Sequence, residues 1–231
     1  MTIEELKNKM CIPEVISREK LEDVFTEIAD ILLLHSELNI GENVSYTIEE
    51  VEFYYFRNGC FDDPIYSCSY PRNCNSGDFY FHYSGVDICF QSTQDSFGGV
   101  LIRSLRKTKG NNVGLIGGPM RCATELMNTC FQEGKLMKIK VNEKRIKEVT
   151  PQKTIRQGVD ADYNIQNGII EPVARYCYYI PQEKKQWSRT RKDVFVLKKE
   201  SAKSLKKILI KKDVNDNYKN NPEERVSNIQ L

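Results

Sequence analysis

The stretch that most restricts the fold is SYTIEEVEFYYF, residues 45–56. Val51, Phe53, Tyr54, Tyr55 and Phe56 favour an extended chain on a packed surface, yet Glu52 stands among them. An ionised carboxylate is costly to bury unless something pairs with it or uses it. The run therefore predicts a strand whose acid faces either a cation or a reaction. Charged residues recur in two further apolar runs, Arg103 in GGVLIRSL (98–105) and Arg156 in TIRQGV (154–159). A guanidinium beside Glu52 would oppose the cost of burying it, in a structural salt bridge or in a site.

The rest of the chain supplies strands and helices around that run. Ser17 opens a helical pattern through Leu21, Val24, Phe25, Ile28, Ile31 and Leu32, ending near Leu34 and His35. Strand patterns follow at 45–56, 78–83, 86–92 and 98–105, with Ser84-Gly85 as the turn of a hairpin over 78–92. Gly117-Gly118-Pro119 then introduces a helix with proline in its first turn and Met120, Ala123, Leu126, Met127 and Cys130 on one side. Further strands are expected at 135–141, 155–160 and 173–180, and a basic amphipathic helix at 200–212. The fold class is α/β (mixed α+β), a single domain with a largely antiparallel curved sheet flanked by helices. The expected boundaries are 1–180 for this domain and 181–231 for a basic C-terminal extension with a helix and a polar tail.

Composition narrows the environment. With 231 residues and 40% hydrophobic side chains the chain can bury a core. No apolar run approaches the ~20 residues of a membrane span, and the start MTIEELKNKM lacks a secretory pattern, so the expected location is the cytoplasm and no membrane partner is expected. Eight cysteines without a Cys-x-x-Cys pair, beside two histidines, argue for reduced thiols rather than a closed zinc site. The net charge of +2 conceals an asymmetry: residues 1–63 hold 15 acidic and 5 basic side chains, whereas 184–212 hold 12 basic and 2 acidic. Such a tail suits nucleic acid, or a solvated helix face neutralised by the acidic segment. His82 and Asp87 would come together across the hairpin, as an acid/base pair or as a cross-strand brace.

Seven stretches occur in a recognisable order: EEVEFY (49–54), PRN (71–73), GDFYFHYSGVDICFQ (77–91), GVLIRSL (99–105), GGPMRCATEL (117–126), RQGV (156–159) and ARYCYYI (174–180). In this order the chain from about 48 to 180 resembles the alkyladenine (3-methyladenine) DNA glycosylase family. The resemblance implies a glycosylase-like fold, DNA as partner, no metal or organic cofactor, no obligate protein partner, and a role in base excision repair of damaged purines. It implies that Glu52 is the general base for the attacking water, that Arg103 is the family arginine beside it, and that the main-chain carbonyl of Val159 helps to hold the water. Tyr54 and Phe81 fall where bases are stacked, Tyr66 beside a pocket position occupied here by Ser67, and Gln91 where an asparagine guards the pocket. Arg72 lies in the PRN element, and Ser84 stands at the hairpin tip where the family has a tyrosine wedge, with Tyr83 next to it. Arg189, Arg191 and Lys192 in the basic tail complete the expected DNA contacts. Two other readings remain open from sequence: a catalytically silent nucleic-acid or nucleotide-binding relative, and a nucleoside hydrolase.

Overall fold

The computed structural model describes residues 1–58, 73–155 and 176–180. They belong to the first of two units, Met1–Pro181; the second, Gln182–Leu231, lies outside the described residues. The elements of the first unit are α1 (Ile3–Lys9), α2 (Arg18–Asp30), β1 (Ser36–Ile40), β2 (Val44–Arg57), β3 (Phe79–His82), β4 (Gly85–Cys89), β5 (Ser96–Lys109), β6 (Gly114–Gly117), α3 (Pro119–Glu133), β7 (Met137–Val141), β8 (Gln152–Ile155) and β9 (Tyr176–Tyr179). Together they form a mixed α/β domain with a curled, antiparallel half-barrel sheet flanked by helices.

The helices begin where their local chemistry allows. Ser17 accepts a hydrogen bond from the Lys20 amide at the start of α2, which then buries Leu21, Phe25, Ile28 and Ala29. The expected end near His35 is reached through a five-residue π-helical turn, Ile31–His35, whose four apolar residues are all buried. α1 was not anticipated. It is two turns long, and Thr2 and Glu5 close it with a capping box in which each side chain accepts from the other's amide.

Two 14-residue strands, β2 and β5, form the spine of the sheet. One edge of β2 pairs with β5, and its other edge is shared by β1 at Val44–Thr47 and by β9 at Glu50–Glu52. β5 is shared in the same way between β4 at Gly99–Leu101 and β6 at Ser104–Lys107. The sequence of strands along the main path is β3-β4-β5-β2-β1-β7, with β8 attached through β9. Neither β1 nor β6 was expected, and β8 sits ahead of the 155–160 strand read from sequence, most of which lies outside the described residues.

The β2–β5 ladder is interrupted where it matters for the site. Ile48 pairs with Leu105, Glu50 with Ser104 and Val51 with Ile102, so Glu49 and Arg103 are each an extra residue in their strand. Ile48 and Val51 both join the core, as do Ile102 and Leu105, although each pair is three residues apart. Two consecutive polar side chains, Glu49-Glu50 on one strand and Arg103-Ser104 on the other, are thereby released from the core face. A bulge does this by breaking the two-residue alternation once. Above it the core continues with Phe25 stacked on Phe53 at 4.7 Å and on Phe90 at 5.7 Å, and with the Tyr178 ring edge-on to Phe53 at 5.3 Å.

The hairpin turn differs by one residue from expectation. His82 pairs with Gly85, so Tyr83-Ser84 make the turn and Gly85 opens β4. A Cβ on Gly85 would lie 2.7 Å from Leu101 Cδ1 and 3.0 Å from Pro119 Cβ, so the missing side chain lets the first turn of α3 pack against the hairpin.

Candidate active site

Register places Cys177, Glu52, Leu101, Asp87 and Tyr80 in one row across β9, β2, β5, β4 and β3. Directly paired residues share a sheet face, so these five side chains lie on the side opposite the core. Glu52 is 1% exposed there. Arg103 Nη1 donates to Glu52 Oε2, while its Nε stands 3.3 Å from Glu50 Oε1. Ser104 Oγ donates to Glu50 Oε2 at 3.0 Å, and the Cys177 thiol lies 3.7 Å from Glu52 Oε2 as a donor. Burial alone would lower the Arg103 pKa, but the adjacent Glu52, Cys177 and Glu50 outweigh it, and the guanidinium is raised above its ordinary value. The bulge is what sets one cation between two carboxylates.

Tyr54 occupies the same face one step along β2. Its hydroxyl donates to Asp87 Oδ2 at 2.5 Å, reaching over Gly99 of β5. A Cβ on Gly99 would stand 2.9 Å from the Tyr54 oxygen and 3.2 Å from Asp87 Cβ, which explains the glycine. His82 Nε2 is 3.1 Å from Asp87 Oδ2, and His82 Nδ1 accepts from the Ser84 amide at 3.3 Å. That amide can only donate, so Nδ1 accepts, while Nε2 comes within ion-pair distance of Asp87 without hydrogen-bond geometry. Asp87 itself is fully buried.

The residues expected to form a site are therefore divided. Glu52, Arg103 and Tyr54 share one face. Phe81 does not join them: it alternates with Tyr80 and His82 and points to the core side of β3. There, 37% exposed, it lines an apolar groove of about 740 Å³ with Phe79, Met127, Phe131 and Leu136. Gln91 serves the segment that leads into β3. Its main-chain N–H donates to the Met10 carbonyl, and its side-chain Oε1 accepts from the Ser76 main-chain amide. Tyr83 projects from the turn at 79% exposure, beside Ser84. Val159, Tyr66, Arg72, Arg189, Arg191 and Lys192 lie outside the described residues.

Sequence reasoning missed Glu50, Ser104 and Cys177. The paired polar residues in I-E-E-V and I-R-S-L, each flanked by core positions, were the legible signal of the bulge. A neighbouring buried acid, Glu49, was also missed; it accepts from Thr47 Oγ1 at 2.7 Å and meets Lys147 Nζ at 2.9 Å and Arg106 Nε at 3.6 Å. Burial lowers the Lys147 pKa against the pull of Glu49. Among the described residues no group of three or more His, Cys, Asp or Glu side chains is placed to hold a metal ion. Nor is any helix there long and apolar enough to cross a membrane.

Comparison of the chain with protein families, with curated proteins and with solved structures finds no match.

Proposed function

We propose that this chain hydrolyses the N-glycosidic bond of a damaged purine in DNA. The observation that carries the reading is Glu52, a carboxylate 1% exposed on the non-core face of the sheet, with Arg103 as its counter-charge and Tyr54 one step away on the same strand. In this role Glu52 takes a proton from water as the water oxygen bonds to the anomeric carbon and the bond from that carbon to the base nitrogen breaks. Arg103 holds the carboxylate in place, and Tyr54 is the ring nearest the base. The ordered resemblance of residues 48–180 to the alkyladenine glycosylases supports the same assignment.

The direct Glu52–Arg103 contact and the engagement of the Tyr54 hydroxyl by Asp87 favour a second reading, a nucleic-acid or nucleotide-binding protein that does no chemistry. An excision assay on duplexes carrying hypoxanthine, ethenoadenine or 3-methyladenine, run beside Glu52→Gln, separates the two. Excision by the parent alone supports hydrolysis. Absence of excision by the parent, with DNA still bound, supports the binder.

A further inference from the structure

We propose that β3 and the apolar groove beside it are the interface through which two copies of this chain associate, the two β3 strands pairing antiparallel about a two-fold axis. β3 and β7 stand at the two ends of the main strand path, and the two edges are built differently. β7 carries exposed Lys138 and Lys140, the kind of residue that keeps a sheet edge from pairing with another chain. β3 has the sequence FYFH, with neither lysine nor proline, and among the described residues it pairs with β4 alone. Its unused main-chain groups can be located. The Cys89 N–H donates to the Asp78 carbonyl, so by alternation Asp78, Tyr80 and His82 turn their main-chain groups to β4 while Phe79 and Phe81 turn theirs away from the sheet.

The side chains of the same two phenylalanines enter the groove, opposite Met127 and Phe131 of α3 and beside Leu136. The core takes another stripe of α3, Cys122, Ala123, Leu126 and Thr129, so Met127 and Phe131, one turn apart, make a second apolar face on that helix. A groove of this kind takes an extended strand with apolar side chains at alternate positions, and β3 is itself such a strand. Pairing Phe79 with Phe81 of the second copy, and Phe81 with Phe79 of the second copy, satisfies the outward groups of all four residues. Directly paired residues share a sheet face, so each copy's phenylalanines enter the other's groove, and Asp78 falls opposite His82 of the second copy, so that no two like charges meet. The area is of the right size. Phe81, Met127, Phe131 and Leu136 are 37%, 42%, 71% and 84% exposed. At roughly 200 Å² per side chain of this size, they leave about 900 Å² of apolar surface open in two copies, more than half of the ~1,600 Å² of a standard interface.

The test is the mass of the full-length protein in solution, measured by sedimentation equilibrium over a range of concentrations. With rising concentration it is expected to approach twice the 26.8 kDa of one chain. Phe131→Glu and Leu136→Lys, both at exposed positions, should each weaken association roughly tenfold or more while keeping the circular dichroism spectrum of the parent. Hydrogen exchange at the Phe79 and Phe81 amides reports the strand pairing, slow in the pair of copies and fast once Phe131→Glu has separated them. A mass that stays at one chain at the highest concentration the protein tolerates overturns the proposal. So does association that both substitutions leave intact, or in which the Phe79 and Phe81 amides exchange freely.

Discussion

Arg103 donates through Nη1 to Oε2 of Glu52, across the seam between β5 and β2, at the place where both strands carry an extra residue. The bulge also leaves Arg103 Nε 3.3 Å from Glu50, so one guanidinium serves two carboxylates that are each at most 2% exposed. Removing different members of this trio has unequal consequences, because a buried charge is costly mainly when its partner is taken away.

Glu52→Gln leaves Arg103 with Glu50 as counter-charge, and is expected to cost ~1–2 kcal/mol. Arg103→Leu strands two carboxylates in the sheet and is expected to cost ~3–5 kcal/mol. Chemical denaturation of the two variants checks the order. If Glu52 is the base, Glu52→Gln also lowers single-turnover excision by ~10² or more while DNA affinity stays close to that of the parent.

Gly98 and Gly99 should differ in their tolerance of a methyl group. At Gly99 the added carbon meets the Tyr54 hydroxyl, the end of a side chain, at 2.9 Å and the Ile88 carbonyl oxygen only at 3.2 Å. At Gly98 it meets the Tyr54 carbonyl oxygen at 2.5 Å and Tyr55 Cα at 2.9 Å, which are backbone. Gly99→Ala is expected to cost ~1–3 kcal/mol, and Gly98→Ala more, by equilibrium unfolding.

Alkaline pH should destabilise the fold through its buried thiols. Burial pushes the Cys122 thiol up to about 12, whereas an unfolded thiol titrates near ~8.5. Above that value the unfolded chain releases a proton that the folded chain keeps, so stability falls as pH rises from ~8.5 towards 12. Cys130, Tyr46 and Tyr179, all raised chiefly by burial, act in the same direction. Melting temperatures across this range should drop, and Cys122→Ala should drop less steeply than the parent once both are referenced to neutral pH.

The basic tail should declare itself in salt dependence. If Arg189, Arg191 and Lys192 contact phosphates, each contact contributes about 0.9 to the slope of log affinity against log salt on duplex DNA. Replacing all three by Gln should make the slope shallower by roughly 2 to 3. An unchanged slope in a binding titration removes them from the interface.

The sequence alone determined the elements whose signals are local and repeated. The apolar spacing from Leu21 to Leu32 specifies α2, the β-branched and aromatic runs specify β2 and β5, and Gly118-Pro119 opens α3. Short elements without a period of their own were harder to see. α1 was signalled by its Thr2–Glu5 capping box, while β1 follows the buried helical segment directly and β6 is four residues of GLIG. Glu52 and Arg103 could be singled out as charges inside apolar runs, since placing charge there is costly whatever the fold. Their further partners could not. That Arg103 reaches Glu50 depends on a bulge in each of two strands that are far apart in the chain. The bond from Tyr54 to Asp87 depends on a bare backbone at Gly99 in the strand between them. Only the tertiary structure decided that Phe81 faces the core side while Tyr80 and His82 face the site, because shifting strand register by one residue exchanges the two faces and nothing local in the sequence records which is chosen.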